Sequence, residues 1–256
     1  MLTQQQHDEF VRTGLVRVPN VLSQADVQQI RADIWRYLSR EYEIDEHDRA
    51  TWPETRIPTF KGLSRSGAFA KIGVGLVPGA LDVVMGTGWQ PPKAWAAKPM
   101  VTFPMPGMAW DVPSDGWHFD RPYAAVDRPG APGVNVFIFV DQVRPHGAGT
   151  VVLTGSHRLV AQHAAATSDT VHAHELKSAL RTEHPWLADL FSPTDQPDRI
   201  HRFMQEGTRI TEVDLQVVEL TGEPGDAILM DARTLHTIAP NCRETPRVML
   251  NQLISR

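Results

Sequence analysis

Apolar positions follow a helical period near the start of the chain and give way to strand-like runs in its second half. Residues 3–13 read as a short helix ended by Gly14, followed by an apolar strand from Leu15 to Val18 that Pro19 and Asn20 turn. Ser23 then caps a longer helix, with Asp26 three residues on as its capping-box partner. Val27, Ile30, Ile34 and Leu38 recur at helical spacing and give that helix one face for the core. Prolines from Pro53 to Pro113 restrict the next stretch to short elements, with Ala80 to Met85 expected as helix and Ala94 to Phe103 as strand.

Beyond that point strand signals multiply. Val134 to Val140, Gly149 to Leu153, Leu215 to Leu220, Ala227 to Met230 and Val248 to Ile254 are rich in β-branched or other large apolar residues. Turn signals such as Pro145-His146-Gly147 and Gly222-Glu223-Pro224-Gly225 separate them. The pattern predicts a mainly β fold with flanking helices, an antiparallel barrel or sandwich. Residues 158–210 interrupt it, with Ala161 to Ala166 and Glu175 to Phe191 expected as helices and Pro185 at a boundary. So long a connection reads as an insertion that carries a lid or a substrate wall. The expectation is one domain over 1–256, with N-terminal helices over about 3–45 packed on one face of a core spanning about 94–256.

Composition narrows the function classes. A chain of 256 residues buries a large core without disulfides. Its net charge of −5 supplies no basic stripe for phosphates, which argues against nucleic acid as a partner. The single cysteine, Cys242, fits a reducing compartment and excludes a cysteine-rich zinc site. No apolar run is long enough for a membrane span, and the polar start lacks a secretory pattern, so a cytoplasmic location is expected.

The candidate chemistry lies in His118-Phe119-Asp120 and in His236, which Arg247 follows eleven residues later. If the first segment is a strand or its end, His118 and Asp120 point to the same side. An H-x-D triplet alone is weak evidence, because eleven histidines produce chance matches. Two imidazoles and one carboxylate, however, hold iron(II) on one triangular face and leave the opposite positions open. A guanidinium fork nearby suits a carboxylate, so the set suggests an iron oxygenase with an oxo-acid co-substrate.

Four ordered motifs resemble those of the phytanoyl-CoA dioxygenase family of iron(II)- and 2-oxoglutarate-dependent oxygenases. Trp117-His118-Phe119-Asp120 resembles the ligand segment, and Gly149 to Leu153 with Gly155-Ser156-His157 resembles a second stretch, with Thr154 where proline is common. Gly225-Asp226 through His236, Pro240-Asn241 and Arg247 is similar to the segment from the G-D turn to the co-substrate arginine. Leu2-Thr3 through Phe10, Gly14 and Val21-Leu22-Ser23 also match. The resemblance implies a double-stranded β-helix, the cupin-like jelly roll. It implies His118, Asp120 and His236 as iron ligands and catalytic residues, with dioxygen as oxidant. It also implies Arg247 as partner of the far carboxylate of 2-oxoglutarate. Ile238 departs from the family, which often has serine or threonine there, and Thr102, Thr150 and Lys98 are the candidates to replace that donor. Asp120 favours hydroxylation or a related oxidation over halogenation, in which a small residue leaves room for chloride.

Trp110, Asp111, Arg121, Tyr123 and Arg233 flank the ligand segments and are candidate substrate contacts. Ordinary packing explains each of them singly as well. Gly155-Ser156-His157 lacks the second glycine of a nucleophile elbow and precedes no clear helix, so it reads as a structural turn. No basic cluster suits a CoA tail, which favours a smaller metabolite, such as one of secondary metabolism, as substrate. A non-catalytic jelly-roll binding module and a cupin-type metal oxygenase independent of 2-oxoglutarate are the alternatives.

Overall fold

A computed structural model describes the chain except residues 1, 55, 56, 58, 87, 121, 122, 124–129, 168, 169 and 194–197. The helix α1 (Gln4–Thr13) opens with a reciprocal capping box, Thr3 Oγ1 accepting from Gln6 N and Gln6 Oε1 accepting from Thr3 N. It stops at Gly14, whose φ of 81° lies in the left-handed region. A side chain at Gly14 would also meet Thr234 Oγ1 at 2.6 Å and His157 Nδ1 at 2.7 Å, so both backbone and space require glycine. The strand β1 (Leu15–Val18) follows, and Ser23 caps α2 (Gln24–Tyr42) by accepting from Asp26 N. The Asp26 carboxylate binds the Ser23 hydroxyl instead of the Ser23 N–H, so the box is only half formed. Val27, Ile30, Ile34 and Leu38 are buried, as their spacing predicts.

A short helix α3 (Lys61–Arg65), which the sequence pattern does not show, precedes α4 (Leu76–Met85). The second begins four residues before the expected Ala80, because Pro78 stands in the first turn, where its missing N–H has no helical acceptor to lose. The remaining strands are β2 (Lys98–Thr102), β3 (Gly133–Phe139), β4 (Thr150–Thr154), β5 (Thr208–Ile210), β6 (Val213–Glu219), β7 (Ala227–Asp231), β8 (His236–Ile238) and β9 (Arg247–Ser255). Between β4 and β5 lie α5 (Ser156–Thr167), α6 (Ala173–Glu183), α7 (Pro185–Leu190) and one π-helical turn, His201–Glu206.

Among the described residues the strands form two antiparallel sheets, not one closed barrel. The five-stranded sheet has the order β1-β7-β3-β9-β2, and the four-stranded sheet β5-β6-β4-β8. The N-terminal region supplies an edge strand as well as helices, since β1 pairs with β7 outside the expected 94–256 core. Three apolar layers hold the sheets. Val134, Val136 and Ile138 of β3 face α2 and α4, and Val151, Leu153, Leu215 and Val217 pack against α5, α6 and α7. Between the sheets lie Phe137, Phe139, Val152, Ile228, Met230 and Met249. With both of its faces covered, β3 is buried at every residue, which is why it reads as a continuous apolar run. The inward row of β3 starts at Asn135, the one polar side chain in that run.

Candidate metal centre

His118 and His236 meet through a backbone bridge, His118 N donating to His236 O at 3.0 Å and His236 N to His118 O at 2.9 Å. The ligand segment is therefore an isolated bridge against β8, shorter than the expected strand. Gly116 permits the close approach: its φ is 74°, and a Cβ there would lie 2.7 Å from Thr237 Oγ1. That hydroxyl donates to Asp115 O at 2.9 Å and ties the two segments together. The imidazole centroids are 4.4 Å apart. Ligand atoms of His118, Asp120 and His236 all lie within 4.8 Å of one another, and this is the one such cluster of His, Cys, Asp or Glu among the described residues.

The tautomer follows from the backbone. His118 Nδ1 lies 2.7 Å from Gly116 O, and His236 Nδ1 lies 3.0 Å from Thr234 O. A carbonyl only accepts, so each Nδ1 carries the proton and each Nε2 keeps its lone pair for a metal. Burial pushes the His236 imidazolium below its ordinary pKa; Asp120 opposes this and His118 adds to it. The ring is thus neutral at pH 7, as a ligand must be. Two ring nitrogens and one carboxylate oxygen on one small volume fit a divalent iron.

A cavity of about 220 Å³ holds the triad and is lined by Lys98, Met100, Phe137, Thr150, Ile238 and Asn251 among others. Thr150 is buried, and its hydroxyl has no hydrogen-bond partner among the described residues. Arg247 does not line this cavity. It opens on an adjoining one of about 350 Å³ that shares Met100 and Ile238 with the first. There Arg247 is buried on β9, its Nη2 donating to Thr102 Oγ1 at 2.8 Å across the β2–β9 pair, with Met249 Sδ 3.2 Å from Nη1. Burial raises the pKa of the nearby Glu219 carboxyl; N–H groups of His146 and Gly149 and the charges of Arg247 and Arg243 oppose that rise. Thr150 and Lys98 are thus grouped with the triad, and Thr102 is grouped with Arg247.

The model of the phytanoyl-CoA dioxygenase (PhyH) family matches residues 10–249. The chain belongs to the phytanoyl-CoA dioxygenase family. No curated protein matches its sequence. Among solved structures, EvdMO1 superposes with a TM-score of 0.59 at 18% identity over 98% of this chain, which spans about half (49%) of the EvdMO1 chain. HygX from Streptomyces hygroscopicus, solved with nickel and 2-oxoglutarate bound, gives 0.55 at 14% identity, covering 100% of this chain and 87% of its own. SnoK, a non-heme alpha ketoglutarate dependent carbocyclase from nogalamycin biosynthesis, gives 0.52 at 17%, covering 99% and 84%. At these identities the likeness establishes the fold alone, a cupin-like jelly roll.

In this PhyH-family chain the expected substrate contacts fall apart into separate places. Trp110 stacks on His146 with ring centroids 4.5 Å apart and packs in the helical side of the core. Arg233 is paired with the buried Asp231 at 2.6 Å and sits 5.1 Å over the Tyr123 ring. None of these three lines the triad cavity. Asp111 is exposed, and Arg121 lies outside the described residues. Ser156 is no nucleophile: its buried hydroxyl donates to Leu153 O and accepts from Leu235 N. It does begin a helix directly after β4, contrary to the sequence expectation, since α5 starts five residues before Ala161. The sequence reading misses two amides near the triad, Asn135, which bonds Asp120, and Asn251, which lines the cavity. The signal for the first was its amide inside the apolar run of β3.

Proposed function

We propose that the chain is a single-domain Fe(II)- and 2-oxoglutarate-dependent oxygenase acting on a small-molecule metabolite. The observation that carries this reading is the pair of Nδ1–H···O=C bonds that leave both Nε2 lone pairs beside the Asp120 carboxylate. When bound, iron supplies the redox chemistry by which 2-oxoglutarate, dioxygen and a substrate C–H become succinate, carbon dioxide and C–OH, one oxygen atom going to each organic product. The nickel and 2-oxoglutarate held by HygX and the cofactor dependence of SnoK support the same pairing here. The free Cys242 fits a cytoplasmic, reducing setting.

The chain's own residues bind and orient the co-substrate. Arg247 offers a planar fork to the far carboxylate from the adjoining cavity. Thr150 stands directly opposite Ile238 across the β4–β8 pair. Side chains at such positions lie about 4.5–5.5 Å apart on one face, so a hydroxyl at 150 serves the wall that a serine at 238 serves in relatives. Lys98 adds positive charge to the same cavity, and Met100, Phe137 and Ile238 keep its wall apolar. Asp120 fills the position that a halide would need, which favours oxidation without halogenation.

Thr150→Val keeps the shape and removes the donor. A hydrogen bond to a charged group is worth about 1.5–3 kcal/mol, so the KM for 2-oxoglutarate should rise roughly 10- to 100-fold. Adding Ile238→Ser should restore part of it; an unchanged KM in Thr150→Val would move the donor role elsewhere. The class itself is tested by calorimetric titration of 2-oxoglutarate without dioxygen. Binding that requires Mn(II) or Fe(II) supports the oxygenase. Metal binding without co-substrate binding points to a cupin-type oxygenase, and neither to a non-catalytic module. Product mass then separates hydroxylation (one oxygen gained) from desaturation or cyclisation (two hydrogens lost) and epimerisation (no change).

A further inference from the structure

Asp120 reaches the triad from a loop, yet one of its oxygens is held from the centre of the sheet. Asn135 Nδ2 donates to Asp120 Oδ2, the same oxygen that lies 3.8 Å from His236 Nε2. Asn135 is 2% exposed on β3, flanked in sequence by Val134 and Val136, which point the other way into the helical layer. A buried amide in such a place is costly unless its hydrogen bonds are met. They are met on both sides: Asn251 Nδ2 of β9 donates to Asn135 Oδ1 at 3.1 Å. That bond also fixes which way the Asn135 amide faces. With Oδ1 occupied by a donor, the NH2 group must turn to Asp120, and only an acceptor can stand opposite it. Asn251 in turn lines the triad cavity and pairs across the sheet with Lys98 on one side and Phe137 on the other.

We propose that Asn135 and Asn251 form an amide relay that positions the metal-binding carboxylate, Asn135 as the direct positioning residue and Asn251 as the one that orients it from the cavity. The proposal rests on the metal reading of the triad. A carboxylate can rotate about its last bond and present either oxygen, alone or together. With Oδ2 held by Asn135, the carboxylate plane is set before a metal arrives, so less ordering remains to be done on binding. A leucine at 135 would fill the space and leave Asp120 to turn freely. Neither amide touches the metal position, so the two groups act through Asp120.

The test is titration with Co(II), a metal that dioxygen leaves unchanged under mild conditions, read by affinity and by ligand-field absorption. Outer partners of metal ligands are worth about 10- to 100-fold in affinity. Asn135→Leu should therefore bind Co(II) roughly 10- to 100-fold more weakly than wild type, with a changed visible spectrum at saturation and the far-ultraviolet circular dichroism of the wild type. Asn251→Ala, at a half-buried position that tolerates truncation, should lose affinity in the same direction by a smaller factor. A merely structural role would leave the spectrum at saturation as it is. If wild type and Asn135→Leu bind with equal affinity and equal spectra, the relay is overturned while the metal site stands. If wild type itself binds no Co(II), the metal reading falls and the relay with it. If Asn135→Leu does not fold, Asn251→Ala decides, and wild-type affinity and spectrum in that variant overturn the relay.

Discussion

His236→Ala is expected to remove metal-dependent turnover of 2-oxoglutarate altogether. The ring supplies one of three donors, and with two left the site loses more than the roughly 10- to 100-fold that a missing outer partner costs. Metal affinity should fall by more than about 100-fold on the same grounds. The metal-free fold should persist, because the bridge between His118 and His236 is made by backbone atoms that alanine retains. His118→Ala should behave in the same way, since its Nε2 is prepared by the same kind of contact to the carbonyl two residues before it. Calorimetric metal titration beside succinate release checks both variants. Unchanged succinate yield in His236→Ala would remove this histidine from the ligand set.

Arg247→Ala is expected to act on co-substrate binding and to spare the metal. Losing one partner of a buried, hydrogen-bonded charge pair costs about 2–4 kcal/mol, which raises the KM for 2-oxoglutarate by roughly 30- to 900-fold. Metal affinity should stay close to that of the wild type, because Arg247 opens on the adjoining cavity and not on the triad. Arg247→Lys keeps the charge and loses the planar fork, so its KM should fall between the two. Steady-state kinetics with varied 2-oxoglutarate, beside a metal titration, separates the effects. A variant that loses metal and co-substrate together would show that Arg247 supports the fold around the triad; one that loses neither favours an oxygenase without 2-oxoglutarate.

Local features of the fold were legible in the sequence because their causes are local. Ser23 and Gly14 end their helices through groups within four residues, and the stripe from Val27 to Leu38 needs only a helical period. The covered strand β3 showed itself as an apolar run because both its faces are packed. Legibility failed where distant segments decide. Pro78 looks like a breaker until its place in a first turn is known, and Ser156 looks like part of a turn until Leu235 is seen to satisfy its hydroxyl. Nothing in Leu15 to Val18 tells that it will edge the sheet beside β7. The triad was readable as three residue types in order, but its protonation depends on two carbonyls that only the folded backbone presents. Register, which no spacing in the sequence shows, places Thr150 opposite Ile238 and Thr102 opposite Arg247. Trp110 shows the converse, a flanking aromatic whose place against His146 no spacing rule foretells.

In the proposed reaction this triad uses dioxygen to split 2-oxoglutarate. The most direct test is turnover by the wild-type chain with Fe(II), 2-oxoglutarate and oxygen-18-labelled dioxygen, with mass analysis of the acid released. Succinate that carries one labelled oxygen atom is expected, formed only when iron is present and absent from His118→Ala. Intact 2-oxoglutarate beside a metal-loaded protein, or succinate without label, would contradict it.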